Sequence, residues 1–549
     1  MTNFGAKILS NATRALAAQQ AVIATIGNNI ANVNTPGYAR RVVDLQTAVS
    51  NSAPGTLNIG NGVVVGDIQR IADNFIENLL RGSVSTVGSS QIEYEFLQRL
   101  EGLFNVSGTN ITIGSALTNF FASINDLTVN PSSLELRKNV MERAQDVVDA
   151  IKTTYNTIAG LQAEADRRLT GEVDNVNSLT SQIATLNGLI SQREATGITA
   201  GDERDRRDIL LTQLAEKISF SLVEASDGSV TISLTNGFSL VNGTNSRSIE
   251  LTNNPSFAAG NLPPSLGGEV LRHIVFDYDP GVGTAHLDLT QILKAGGGSI
   301  GGLLKIRGYN APANDSAFEA DGILVEMASR VEAITRQLLT TFNQTYLGPD
   351  EDPGGVHDPS SADLDGNPPS VYGFFTWAPQ NAAAFDVNGN GLPDDIDNIA
   401  LGVNNFSSIL ELTFSDPRRL AAALDSDPAA ASTSFEQGNG ENAAALAALE
   451  LDSLNFGLGG FGSFTSQTTF AGMFQEAVTH VGNAKSRAQL NESVAGANFL
   501  AIQSRRDQIS GVSLDEEFTS LIQFQKAYQA SARMIKVADD LLSQILQLI

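Results

Sequence analysis

The sequence predicts an α+β, multidomain protein: paired N- and C-terminal coiled-coil-like helices, a helical domain, and inserted β-rich outer domains. Three observations carry that expectation. Leu9, Leu16, Ile23 and Ile30 recur every seven residues, with Ala12, Gln19, Ile26 and Val33 between them at coiled-coil spacing. Leu514, Leu521, Tyr528, Ile535, Leu542 and Ile549 repeat the same step near the other end, with Phe524 and Ile545 between them. Inside these stripes, helical periodicity gives way to period-two alternation after Ile218 and returns near Phe318.

Taken in order, the first helix is expected from Phe4 to Val33. It stops at Thr35-Pro36-Gly37, because proline disfavours the α region for the residue before it and glycine supports a turn. A β-rich stretch follows at Arg41–Gln46 and Gly62–Ile68. Helical patterning then covers Asn74–Leu80, Ser89–Phe104 and Ser115–Asp126, and after Asn130-Pro131 runs from Ser133 to Arg193. Ser219–Val223 and Val230–Leu234 alternate as strands, punctuated by Asp227-Gly228 and Asn236-Gly237, the dipeptides of tight hairpins. A helix is expected over Phe318–Thr345, then an acidic Asp/Gly/Pro-rich region, then helices at Glu441–Leu451 and from Phe474 onward with a break at Gly511. The resulting organisation is nested. Residues 1–40 with 510–549 form a terminal helical axial domain, and 41–215 with 296–345 and 441–509 a mainly helical one. Residues 216–295 form a β-rich insertion, and 346–440 an acidic outer insertion whose Phe374, Phe375 and Trp377 are expected to anchor its core.

Composition narrows the function classes. The hydrophobic fraction of 42% suffices for ordinary cores. Cysteine is absent, so disulfides, thiolate metal sites and cysteine nucleophiles are excluded. A net charge of −26 argues against nucleic-acid or anionic-membrane partners, which need a basic face. The acid is uneven: 18 Asp and Glu lie between Leu347 and Asn455 against Arg418 and Arg419, whereas the first 43 residues carry four basic side chains and no acid. Asn11, Thr13, Arg14, Gln19 and Gln20 interrupt any apolar signal region, and nothing approaches the ~18 apolar residues of a membrane span.

Candidate chemistry is sparse. Asp386, Asn388, Asn390, Asp394 and Asp397 fall at positions 1, 3, 5, 9 and 12 of a calcium-loop pattern, with glycine at position 6. Against it stand aspartate rather than glutamate at the last position, Pro393 inside the loop, and the frequency of Asp/Asn/Gly runs as plain turns. No cofactor other than calcium is suggested. His273, His286, His357 and His480 show no ligand spacing and are expected on the surface or in loops. No nucleophile elbow or phosphate loop is present, so the chain is expected not to be an enzyme.

One segment carries more than its local chemistry. Asn32, Asn34, Thr35, Pro36, Gly37 and Tyr38, with Ala31 and Val33, resemble the N-terminal signature of flagellar rod, hook and hook-associated proteins. Ser510–Glu517 and Phe524–Arg533 resemble the hook-associated branch. So do Gly62–Val65 with Ile68-Gln69-Arg70, Asn119-Phe120-Phe121, Pro131-Ser132-Ser133 with Arg137, Arg207–Leu211, Gly301–Leu304 and Asp363–Asn367. The resemblance covers most of the chain outside roughly 376–435.

It implies an extracellular structural component of the bacterial flagellum, exported by the flagellar type III apparatus without a cleaved signal peptide. Its implied place is a ring at the hook-filament junction, as mechanical adaptor between hook and filament. Implied partners are copies of itself, hook protein, the second hook-filament junction protein, and a flagellar export chaperone on the C-terminal helix. Leu9, Leu16, Ile23, Ile26, Ile30, Leu514, Leu521, Phe524, Tyr528, Ile535, Leu542 and Ile545 would form the axial assembly seam. A rod or hook subunit, or a calcium-dependent surface adhesin, is the alternative.

Overall fold

A computed structural model describes residues 2–49, 60–104, 111–252, 266, 271–278, 285–308, 322–348, 360–369, 373–377, 406–424, 438–457 and 465–547. The chain opens with α1 (Thr2–Ala31) and an antiparallel ribbon of β1 (Arg41–Thr47) and β2 (Val63–Arg70). Four helices follow: α2 (Asn74–Phe104), α3 (Ile113–Val129), α4 (Leu134–Glu194) and α5 (Gly201–Lys217). Thr112 and Ser115 close a reciprocal capping box at the start of α3, and Ser133 caps α4.

The period-two stretch becomes a four-stranded meander of β3 (Ser221–Glu224), β4 (Val230–Ser233), β5 (Ser239–Asn242) and β6 (Asn245–Ser246). A second sheet joins β7 (Glu250–Thr252), β8 (His273–Tyr278) and β9 (Ala285–Asp288). Gly228 and Gly237 sit at φ +79 and +84, the left-handed conformation that the two hairpin dipeptides were expected to adopt.

Helix returns with α6 (Thr290–Gly296), α7 (Gly298–Arg307) and α8 (Ile323–Gln337), which runs through a π turn (Leu338–Phe342) into α9 (Asn343–Leu347). Short pieces follow: β10 (Ser361–Ala362), β11 (Phe375–Trp377), α10 (Phe406–Ile409), β12 (Leu410–Leu412), a 3₁₀ turn (Pro417–Arg419) and β13 (Ala423–Leu424). After α11 (Glu441–Ala448), the hairpin of β14 (Leu454–Gly457) and β15 (Thr465–Thr468) leads into α12 (Phe470–Ser510) and α13 (Leu514–Gln547).

The 61-residue α4 is the spine of the molecule. Val140, Ala144, Val147, Ile151, Ile158, Ala165, Leu169, Val176, Ile183 and Ile190 keep one buried stripe along its length. α3, α5 and α7 pack along α4, and α2 lies between α7 and α12. Where two helices were expected over 74–104 there is one. Gly88 does not break it, because a Cβ there would sit 2.7 Å from the Glu216 carbonyl; Gly302 of α7 meets the Ser89 carbonyl as closely, at 2.8 Å. Glycine here lets backbones approach and does not mark a turn.

The described part of the acidic insertion does not stand apart. Phe374, Phe375 and Trp377 are buried in the same apolar core as α3 and α8. The rings of Phe374 and Phe375 pack against those of Phe120 and Phe342 at centroid separations of 5.3–6.0 Å, mostly tilted or edge-on. Arg137, fully enclosed, donates to the carbonyls of Pro131 and Leu420, and Asn442 donates to those of Tyr346 and Ala421. The β3–β6 meander likewise packs on α4, with Val230, Ile232, Leu240 and Val241 in the common core.

Candidate assembly site at the paired termini

The two ends meet as α1 against α13, with the β1–β2 ribbon on the side of α1. Among the described side chains of α1, Ala12, Ala18, Val22, Thr25, Ile26 and Asn29 are buried, and Val22, Ile26 and Val43 form a small core that Ile30, Leu521 and Phe524 flank. Leu9, Leu16, Ile23 and Ile30 are only half-buried. The predicted positions Ala12 and Ile26 are thus covered, while Ala18, Val22, Thr25 and Asn29 each lie one residue before a heptad position, because the ribbon as well as α13 covers α1 through Val43.

On α13, Leu521, Phe524, Tyr528 and Ile535 are half-buried, and Glu517, Ser531 and Ala538 are buried between them. Leu514 stays 41% exposed. Leu542 and Ile545 lie in α13, but their side chains fall outside the described residues. The opposite face of α13 carries a second apolar stripe: Phe518, Ile522, Met534, Val537 and Leu541 are 44–58% exposed. Soluble chains seldom leave so many large apolar groups on one helix face.

The Asn32–Tyr38 turn is the hinge between this helix pair and the rest. Its hub is Asn29, which the heptad pattern did not single out. The Asn29 amide donates to the Arg41 carbonyl at 2.9 Å and to Glu517 at 3.2 Å. Its Oδ1 accepts from the Arg41 N–H at 3.0 Å and the Tyr38 hydroxyl at 2.8 Å. Glu517, 2% exposed, also takes Arg40 Nε at 2.7 Å, and Arg40 N–H donates to the Ser510 carbonyl. One amide thus joins α1, the ribbon and α13, with nearly every lone pair used.

Within the turn, Asn32 donates to Asn28 and accepts from Thr35, closing it on itself, while Asn34 and Pro36 are exposed. Gly37 adopts φ +78, and a Cβ there would lie 2.4 Å from Ile209 Cγ1 of α5. Arg41 lies over the Tyr38 ring at 5.2 Å. Burial pushes the Tyr38 phenol up from its usual value, so the hydroxyl remains a donor. The signal available in the sequence was the pair Asn28-Asn29 interrupting an apolar helix and Arg40-Arg41 after the tyrosine.

The calcium-loop residues Asp386, Asn388, Asn390, Asp394 and Asp397 lie outside the described residues. Among the described residues, no three His, Asp or Glu side chains are grouped to hold a metal ion. The expectation of surface histidines fails at His273: it is 1% exposed on β8 and contacts Asp288 at 2.9 Å, because a cross-strand carboxylate satisfies it in place of water.

Comparison with known proteins bears directly on this geometry. Residues 97–348 match the family described as the flagellar hook-associated protein FlgK helical domain. Residues 9–38 match the flagella basal body rod protein family, and residues 503–548 the C-terminal family of flagellar basal body rod FlgEFG proteins. Flagellar hook-associated protein 1 of Bacillus subtilis is 26% identical over 548 residues, spanning 98% of this chain and 97% of its own length. The protein of that name from Escherichia coli is 25% identical over 581 residues, spanning 98% and 99%. The solved structure of the flagellar hook junction protein FlgK from Burkholderia pseudomallei shares the fold, with a TM-score of 0.59 at 15% identity over 79% of this chain and 100% of that one. Over nearly its whole length the chain is thus similar to flagellar hook-associated proteins, structural components of the bacterial flagellum.

Proposed function

We propose that the chain assembles through its paired terminal helices with copies of itself into a ring at the hook-filament junction, and serves there as mechanical adaptor between hook and filament. The carrying observation is the second apolar stripe of α13. Phe518, Ile522, Met534, Val537 and Leu541 remain 44–58% exposed among the described residues of the single chain. Burying such a side chain fully is worth about 1.5–3 kcal/mol. The net charge of −26 disfavours an anionic membrane surface as cover for these residues and favours a protein partner. Neighbouring α1 and α13 helices, with half-buried Leu9, Leu16 and Ile23 at their edges, supply matching surface.

Hook protein on one side and the second junction protein on the other are the neighbours that similarity to flagellar hook-associated proteins suggests. The same stripe is the surface an export chaperone would cover before passage through the type III apparatus. In this reading the molecule works by surfaces, and no reaction is assigned to it.

Deleting residues 514–549 is expected to leave the helical domain folded by circular dichroism while cells complemented with the truncated chain make hooks without filaments. Ile522→Glu with Val537→Glu, two exposed changes, should do the same in the full-length chain. Normal filaments grown on hooks from either variant would overturn the proposal.

A further inference from the structure

The first two turns of α5 carry Asp202, Asp205 and Asp208, three residues apart and therefore neighbours on the helix surface. Arginines from three other elements interleave with them. Arg41 of β1 reaches Asp202 at 2.6 Å and Asp205 at 2.9 Å. Arg70 of β2 reaches Asp205 at 2.6 Å and Asp208 at 2.5 Å, and Arg81 of α2 reaches Asp208 at 3.0 Å. The result is a continuous alternating chain, Asp202–Arg41–Asp205–Arg70–Asp208–Arg81. Arg41 and Arg70 are direct cross-strand partners, a like-charge pairing that is unfavourable unless a carboxylate sits between them. Asp205 is that carboxylate.

The neighbouring Arg40 pulls the other way, to Glu516 at 3.1 Å and Glu517 at 2.7 Å on α13. Two successive arginines thus tie one strand to the terminal helix pair on one side and to the helical domain on the other. Apolar packing does little of this. Val42, Leu45 and Ile68 of the ribbon are 39–42% exposed, and the contact of Gly37 with Ile209 is small.

We infer that Asp205 is a positioning residue: through Arg41 and Arg70 it fixes the orientation of the ribbon, and with it the axial helix pair, against the helical domain. The geometry stands independently of the assembly reading; its consequence, that force passing between axis and outer domains crosses this ionic joint, rests on that reading. Burial raises the Asp205 carboxyl above its usual value in spite of both guanidinium groups. A buried ion pair of this kind adds little stability yet is demanding in direction, since each lone pair and N–H must be met.

The absence of cysteine makes the test direct, because introduced thiols are unique. Full-length protein carrying Thr47→Cys on β1 and Thr185→Cys on α4, both spin-labelled, reports the distance between ribbon and helical domain by pulsed electron paramagnetic resonance. A single narrow distribution is expected, broadening at least twofold in Asp205→Ala and narrowing again in Asp205→Glu. A control pair within the helical domain, Gln91→Cys with Thr185→Cys, should be unaffected by either change, which separates a loosened joint from a misfolded domain. Should Asp205→Ala disturb the control pair, Arg41→Gln replaces it. An unchanged width on removing the charge, or a broad distribution already present with Asp205 intact, would overturn the inference, and neither depends on whether the chain forms a ring.

Discussion

Gly37 packs against Ile209 where any other residue would place a Cβ, and its φ of +78 is strained for every L side chain. Gly37→Ala is expected to destabilise the ribbon by about 1–2 kcal/mol from backbone strain alone. Ile209→Ala in the same chain should recover only the steric part of the loss. Amide exchange at Arg41–Thr47 measures both, and unaltered exchange in Gly37→Ala would show that the turn tolerates an ordinary residue. The turn was legible in the sequence, since proline and glycine act on their own backbone. Ile209 as its partner was not, because 172 residues separate the two and only the folded chain brings α5 to the turn.

Helix α5 has an ionic inner face, which is why periodicity did not reveal it: Asp205 and Arg207 occupy buried positions where an apolar stripe would be expected. Arg207 donates to Asn187 and to the Gly228 carbonyl, holding the β3–β4 turn against α4. Arg204 ties α5 to the end of α4 by two bonds to Glu194, at 2.6 and 2.8 Å, and to β3 by Glu224 at 2.6 Å. The Arg204 hydrogen bonds hold the Glu194 carboxyl below its usual range. Its folded value lies under its unfolded value of about 4.3, so its stabilisation is complete above that pH and is lost as the pH falls through the folded value. Glu194→Gln should therefore lower the unfolding temperature at pH 7, and the gap to the unmodified chain should close on acidification to about pH 3. A gap that persists unchanged in acid would assign the effect to packing instead. The seam on α1 illustrates the complementary case. Its heptads correctly announced a helix with apolar faces, but which face is most covered depends on Val43 of a strand that the helix pattern cannot encode.

The molecule combines one continuous core with a thinly packed terminal pair. Among the described residues the core runs from Ile92 through Ala488 and takes in every sheet but the β1–β2 ribbon and the short β10–β13 pair, together with the aromatic residues of the acidic insertion. Among the described residues the buried apolar cluster of the α1–α13 pair is Val22, Ile26 and Val43. Local opening follows density of buried apolar contact, so the two parts should differ in exchange. In the isolated full-length protein, amides of residues 7–30 and 514–541 are expected to exchange orders of magnitude faster than those of α4. Protection at both ends equal to that of α4 would mean a self-sufficient helix pair and would count against assembly through it.

Periodicity, turn chemistry and capping act over a few residues, and whatever depends on them was already determined in the chain: the long helices, the hairpins at Gly228 and Gly237, the stop at Pro36-Gly37, the apolar stripes at both ends. Charge and the lack of cysteine likewise bounded the partners before any contact was known. Tertiary structure alone decided which stripe of α13 lies against α1 and which is left open, because burial is a property of neighbours. It also drew Phe374 and Phe375 into the main core, and it assembled the joint in which Arg40 meets Glu517 across 477 residues. An ion pair needs two side chains at one place in space, and no local pattern records that meeting.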